Sequence, residues 1–103
     1  MKNILIVIPA YNEENTIGIL VKKINKYFKV LVVNDGSTDQ TSSIAKKSGA
    51  KVISLKKNCG VDSAINEGFK FAKKNNFKYV VTIDADGQHS VKDLKKITKI
   101  IKR

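Results

Sequence analysis

Asp84-Ala85-Asp86 follows directly on Val80 to Ile83, the kind of apolar segment a sheet buries, in a chain with only nine acidic residues. Two carboxylates one residue apart can form an Asp-rich turn that caps the next helix, or they can share a cation. A strand has period two, so Asp84 and Asp86 point to one side if extended geometry persists past Ile83. Carboxylates that close repel each other unless a cation lies between or beside them. Mg2+ usually takes one or two carboxylates together with substrate phosphates. Gly87 permits a sharp turn that brings the Gln88 amide oxygen back towards the same ion.

The elements that would position these groups follow a regular beat. "ILIVI" (Ile4 to Ile8), "VLVV" (Val30 to Val33), "KVISL" (Lys51 to Leu55) and "YVVTI" (Tyr79 to Ile83) are continuous β-rich runs, as expected for strands covered on both faces. Between them lie helical patterns. Asn12 is placed to cap a helix with Glu13 and Glu14 in its first turn and Ile17, Leu20, Val21, Ile24 and Phe28 on one face. Ser37-Thr38-Asp39-Gln40 has the form of a capping box before Ile44 and Ala45, with Gly49 closing that helix. A third helix runs through Ala64, Ile65, Gly68, Phe69 and Ala72. A fourth is expected in "SVKDLKKITKIIKR".

Alternating strands and helices predict an α/β domain, an open and mostly parallel sheet with right-handed crossovers. Ligands of such sheets bind outside the carboxyl ends of the strands. Those ends carry "PAYNEE", "NDGSTDQT", "KKNCG" and "DADGQH". Glu13, Glu14, Asp35, Asp39, Asp84 and Asp86 thus gather on one rim, and the Asp84-Asp86 pair reads as part of a site rather than an isolated turn.

Composition bounds the alternatives. The 103 residues make one domain, with 42% hydrophobic and 28% charged residues, an ordinary globular mix. The start, "MKNILIVIP", has too short an apolar run for a signal-peptide core, and no run reaches the ~20 residues that span a bilayer. Cys59, the lone cysteine, forms no intrachain disulfide and suits a reducing compartment as a small packing residue. A cytoplasmic chain is expected. The net charge of +11 comes almost wholly from lysine. Base readers favour arginine forks, and single-strand binders interleave aromatics with basic residues. Neither pattern occurs, so no nucleic-acid partner is expected. The lysines read as solvated helix faces, with a weak peripheral attraction to anionic membranes as the alternative.

"VIPAYNEENTI", "VVNDGSTDQT", "NCGVDSAINEGFKFA" and "VVTIDADGQH" together resemble the nucleotide-sugar-binding half of family 2 glycosyltransferases. They look most like the dolichyl- or polyprenyl-phosphate sugar transferases. The resemblance covers about residues 3 to 90. It implies the N-terminal half of a GT-A fold, a Rossmann-like sheet of strand order 3-2-1-4 with helices on both faces. The implied enzyme moves a sugar from a UDP- or GDP-sugar to an acceptor, with inversion, assisted by Mg2+ or Mn2+. Pro9, Tyr11 and Glu13 would line the nucleoside pocket and Asp35 would hydrogen-bond the base. Asp84 would approach the ribose or the metal, Ala85 the nucleotide, and Asp86 and Gln88 would hold the metal against the diphosphate. His89 would be a turn residue near that diphosphate, and the Asn58-Cys59-Gly60 loop a scaffold.

Departures from the family pattern shape the remaining expectations. Asn34 stands where many members carry an acid before Asp35. The family's acceptor half, which supplies the general base, would follow "DADGQH" by a hundred or more residues, and the chain is expected to be a single nucleotide-sugar-binding domain over 1–103 without it. A nonenzymatic nucleotide-sugar-binding module working with a partner chain is therefore a second reading. "DADG" after an apolar strand also resembles the aspartate loop of haloacid-dehalogenase-type phosphatases, but that chemistry needs its loop early in the chain. Finally, the order 3-2-1-4 leaves Tyr79 to Ile83 as an uncharged edge. That edge is expected to pair with a second copy or a partner chain.

Overall fold

The computed structural model describes residues 3–85. Within them β1 (Ile4–Ala10), α1 (Ile17–Asn25), β2 (Lys29–Asn34), α2 (Thr41–Lys47), β3 (Lys51–Ser54), α3 (Val61–Lys74) and β4 (Tyr79–Thr82) follow in order. The helix expected near the carboxyl terminus lies outside the described residues.

All the strands are parallel, in the order β3-β2-β1-β4. Val7 shows the register: it faces Leu31 of β2 on one side and Thr82 of β4 on the other. Because side chains alternate, each central strand feeds two cores. Ile6, Ile8, Ala10, Val30 and Val32 pack with Ile17, Leu20, Val21 and Ile24 of α1 and Ala45 of α2. Leu5, Val7, Leu31 and Val33 turn the other way, towards Ala64 and Ala72 of α3. Helices therefore cover both faces, which is why β1 and β2 carry unbroken apolar runs rather than an alternating pattern. Burying each Leu, Ile or Val here contributes about 1.5–3 kcal/mol.

Pro9 lies inside β1, where a missing N–H would normally break a ladder. Val7 accepts from Ile83 N–H at 3.1 Å, so by period two Pro9 also faces the β4 side. The β4 ladder ends at Thr82, so the missing N–H falls where the pairing stops and interrupts no bond within it. Gly68 has an equally local reason: a Cβ there would stand 2.5 Å from Val7 Cγ1. Its hydrogen lets α3 rest directly on the central strand.

Two helix starts differ from expectation. α1 begins at Ile17 with no acid in its first turn. Asn12 does not cap it but adopts a left-handed φ of 52°, a conformation Asn tolerates better than most residues. Its Oδ1 accepts instead from Thr38 N–H at 2.8 Å. The capping box is also displaced, since Ser37 Oγ accepts from Asn12 N–H at 2.9 Å and α2 starts only at Thr41. In both places the side chain satisfies the neighbouring loop rather than its own helix. Cys59 is a third correction: it is exposed, not packed.

Parallel strands with returning helices make the two ends of the sheet chemically unlike. Lys22, Lys23, Lys46, Lys47, Lys73 and Lys74 occupy last helical turns, where the helix dipole favours cations. Lys29 and Lys51 open strands, and Lys78 precedes one. These lysines share the end opposite the acidic rim. No helix among the described residues is long and apolar enough to cross a membrane.

Candidate functional site

Beyond the carboxyl ends of β1 and β2 the chain leaves a cavity of about 340 Å3. Pro9, Tyr11, Glu13, Asp35, Asp84 and Ala85 all line it, joined by Ala10 and Val61. Every residue expected to contact nucleotide thus stands on one wall or another, apart from Asp86, which lies outside the described residues together with Gln88 and His89. Tyr11 keeps 45% of its surface exposed, leaving an aromatic face free at the mouth. After Val81, burial alternates through Ile83 and Ala85 while Thr82 and Asp84 face solvent. The period of two therefore continues past the last ladder bond, as the Asp84-Asp86 reading requires of Asp84.

The rim carboxylates do different jobs. Glu14 and Asp39 brace two loops reciprocally: Glu14 N–H donates to Asp39 Oδ2 at 3.2 Å, and Gln40 N–H donates to Glu14 Oε2 at 3.1 Å. Asp39 Oδ1 also accepts Thr41 N–H at 2.9 Å and the Thr41 hydroxyl, so from just before the Gln40 cap it satisfies the first amide of α2. Thr41, fully buried, accepts in turn from Glu13 N–H at 2.9 Å. Sequence reasoning missed Thr41 and Thr16. The Thr16 hydroxyl donates to Ala85 C=O at 2.8 Å and ties the segment after β4 to the first loop. Only the density of Thr and Ser beside the acidic motifs hinted at this network.

Asp35 is 4% exposed. Its carboxylate accepts Cys59 N–H at 2.7 Å and Gly60 N–H at 3.0 Å. The scaffold role expected of the Asn58–Gly60 loop is accordingly visible as a direct hold. Asn34 explains its own departure from an acid: its amide donates to Ser54 Oγ at 3.3 Å and its Oδ1 accepts Ser37 N–H at 3.1 Å. The amide thus offers a donor to one loop and an acceptor to the other, and it does so without placing a second charge beside buried Asp35.

Desolvation raises the Asp39 carboxyl, but the hydrogen bonds from the Thr41 hydroxyl, Thr41 N–H and Glu14 N–H outweigh it and leave the group below the ordinary aspartate value. A depressed folded value means the brace contributes stability above the unfolded pKa and loses it as pH falls through the folded one. Carbon-detected NMR titration should place the Asp39 midpoint below the reference of about 3.9. A midpoint at or above that reference would contradict the brace.

Among the described residues no three His, Cys, Asp or Glu side chains converge to hold a metal. Asp84 is exposed at the cavity lip, a hard oxygen donor with open space beside it. That suits one ligand position of Mg2+ or Mn2+, with the others left to neighbouring oxygens and phosphates.

An open parallel α/β sheet with an acid-lined cavity at its carboxyl edge defines the Rossmann-like ligand-binding half of a GT-A fold. The chain belongs to glycosyl transferase family 2, whose model matches residues 5–103. It is 35% identical over 119 residues to the UDP-N-acetylglucosamine–dolichyl-phosphate N-acetylglucosaminyltransferase of Methanococcus voltae, covering 97% of this chain and 47% of that one. It is 32% identical over 117 residues to human dolichyl-phosphate beta-glucosyltransferase, covering 95% and 35%. Glucosyl-3-phosphoglycerate synthase from Mycobacterium tuberculosis, solved with Mn2+, UDP-glucose and phosphoglyceric acid, superposes with a TM-score of 0.69 at 31% identity, over 82% of this chain and 33% of that one. The same enzyme has been solved with Mg2+ and UDP. The chain spans less than half the length of these relatives.

Proposed function

We propose that the chain is the donor-binding part of an inverting glycosyltransferase that takes a UDP- or GDP-sugar, with Mg2+ or Mn2+, for transfer to an acceptor such as a polyprenyl phosphate. The observation that carries this is the convergence of Pro9, Tyr11, Glu13, Asp35, Asp84 and Ala85 on one cavity from widely separated segments. The names of the dolichyl-phosphate relatives support the acceptor class, and the UDP and metal in the mycobacterial complexes support the donor and the cation.

Each residue has a physical role in this reading. Tyr11 offers its exposed ring to the nucleoside while its hydroxyl stays wet. Asp35 retains acceptor capacity for a base N–H, since a carboxylate has about four lone-pair positions. Asp84, with Asp86 and Gln88, would hold the cation. A bound divalent cation supplies Lewis-acid stabilisation of the leaving diphosphate. Calorimetry with UDP and GDP should show weak binding that Mn2+ strengthens. Asp86→Ala should lose the metal dependence, an effect of about tenfold or more, while keeping the fold. Equal affinity with and without metal, in both proteins, would refute the assignment.

The second reading, a module completed by a partner, draws on β4. Among the described residues it pairs only with β1, and Tyr79 to Thr82 carry no charge. We propose that this border takes another strand, from a second copy or a partner chain. Light scattering coupled to size exclusion should then report more than a monomer. A monomer whose Val80 to Thr82 amides exchange rapidly would rule it out.

A further inference from the structure

We infer that Asp35 is a positioning residue: it grips the β3–α3 loop and thereby couples the order of that loop to occupancy of the nucleotide cavity. The inference rests on the reading above for the occupant, but the grip itself is visible without one. A carboxylate with 4% exposure needs compensation for lost hydration. Here it comes from consecutive backbone donors, Cys59 N–H at 2.7 Å and Gly60 N–H at 3.0 Å. Hydrogen bonds to an ionised acceptor are among the stronger ones.

The loop is shaped around that grip. Gly60 has φ 95° and ψ 162°, a combination that L-residues rarely adopt. A Cβ on Gly60 would meet nothing within 4 Å, so glycine serves the backbone conformation there, not space. The next residue, Val61, opens α3 and forms a wall of the cavity while 58% exposed. Asp35 therefore touches both the cavity and the hinge that places Val61. An occupant that donates an N–H to Asp35 shares its carboxylate with the loop. Any stabilisation of the loop by the occupant must be returned as affinity when the loop is held.

Amide hydrogen exchange on the whole chain tests this. Without nucleotide, Cys59 and Gly60 should be protected in the parent. Gly60 N–H also donates to Asn58 Oδ1 at 3.1 Å, so Cys59, held by Asp35 alone at 2.7 Å, is the sensitive amide. Asp35→Asn turns one acceptor into a donor, and Cys59 should exchange about tenfold or more faster, Gly60 less so, with β1 and β2 unchanged. UDP with Mn2+ should slow Cys59 and Gly60 further in the parent and not in Asp35→Asn, a response a purely structural role would not give. Gly60→Ala strains the loop without entering the cavity. It should likewise release the Cys59 amide and weaken UDP severalfold, and it decides the matter if Asp35→Asn also loosens the sheet. Undiminished protection in the variants overturns the grip. Binding of UDP that leaves the loop amides of the parent unaltered overturns the coupling. Failure of UDP to bind at all refutes the donor assignment and with it the coupling, whereas the nucleotide-free comparison still decides the grip.

Discussion

Gly68→Val will bring the domain to the limit of folding. The new Cβ would lie 2.5 Å from Val7 Cγ1, 2.9 Å from Cγ2 and 3.3 Å from Val7 Cβ. Val7 cannot retreat: it is fully buried, and its backbone sits in register between Leu31 and Thr82. α3 would have to lift from the sheet, uncovering Leu31 and Val33. Overpacking typically costs 1–3 kcal/mol, and valine's further methyls place this case at about 3 kcal/mol or more. For a domain of this size that lowers Tm by roughly 12–24 °C. Gly68→Ala is more discriminating, because alanine gains about 1 kcal/mol of helix propensity. It should still destabilise, and Val7→Ala should recover part of the loss in the double variant, giving a favourable coupling in urea unfolding. A Gly68→Ala protein as stable as the parent, with additive behaviour, would show that the helix does not rest on Val7.

Gly36→Ala will disable the site more selectively. Gly36 has φ 73°, where an L-residue pays roughly 1–2 kcal/mol. Its Cβ would also meet Asn58 N and Lys57 C at 2.4 Å each. Those are backbone atoms of the loop that Asp35 holds, so they cannot swing aside as a side-chain tip can. Gly49→Ala is the matched comparison, with φ 114° but its close neighbour the Asn25 amide at 2.4 Å. We expect Gly36→Ala to lose about 2–4 kcal/mol of stability and about tenfold or more of nucleotide affinity, with NMR shifts centred on residues 57–60. Gly49→Ala should lose less stability and leave affinity unchanged. Equal affinity in Gly36→Ala and the parent would mean that the loop contributes nothing to the cavity.

These two glycines also mark the boundary of what the sequence makes legible. Gly68 could be read as a close-packing residue because it falls on the buried face with Ala64 and Ala72, a matter of helical period alone. The strands and the helices between them were legible for the same reason, since period is local and crossover handedness restricts their connection, while the order 3-2-1-4 needed the family resemblance beside the chain order. The family resemblance named the residues that the cavity then gathers. What could not be read were the partners of loop side chains. Asn12 and Ser37 carry ordinary capping signals, yet each bonds the other's loop, more than twenty residues away. Asp35 could be placed at the site, but nothing adjacent to it shows that Cys59 and Gly60 donate to it. Cys59 departs from its expected burial because the path of the loop, not its size or its glycine neighbour, sets its exposure.

The unequal ends of the sheet bear on how an anion meets this protein. They are separated by the length of the strands, about 23 Å for the seven residues of β1. At physiological ionic strength the Debye length is about 8 Å, so nearly three screening lengths lie between them. The net charge of +11 consequently says little about the potential at the cavity mouth. Among the described residues, Glu13, Glu14, Asp35, Asp39 and Asp84 on the loops at the carboxyl ends of the strands, with Asp62 in the first turn of α3, outnumber Lys56 and Lys57. Lysines at the far end cannot steer a diphosphate across that distance. The rim formed by these described residues is acidic however basic the whole chain is, and a cation of the kind proposed to sit there would offset that charge where a diphosphate arrives.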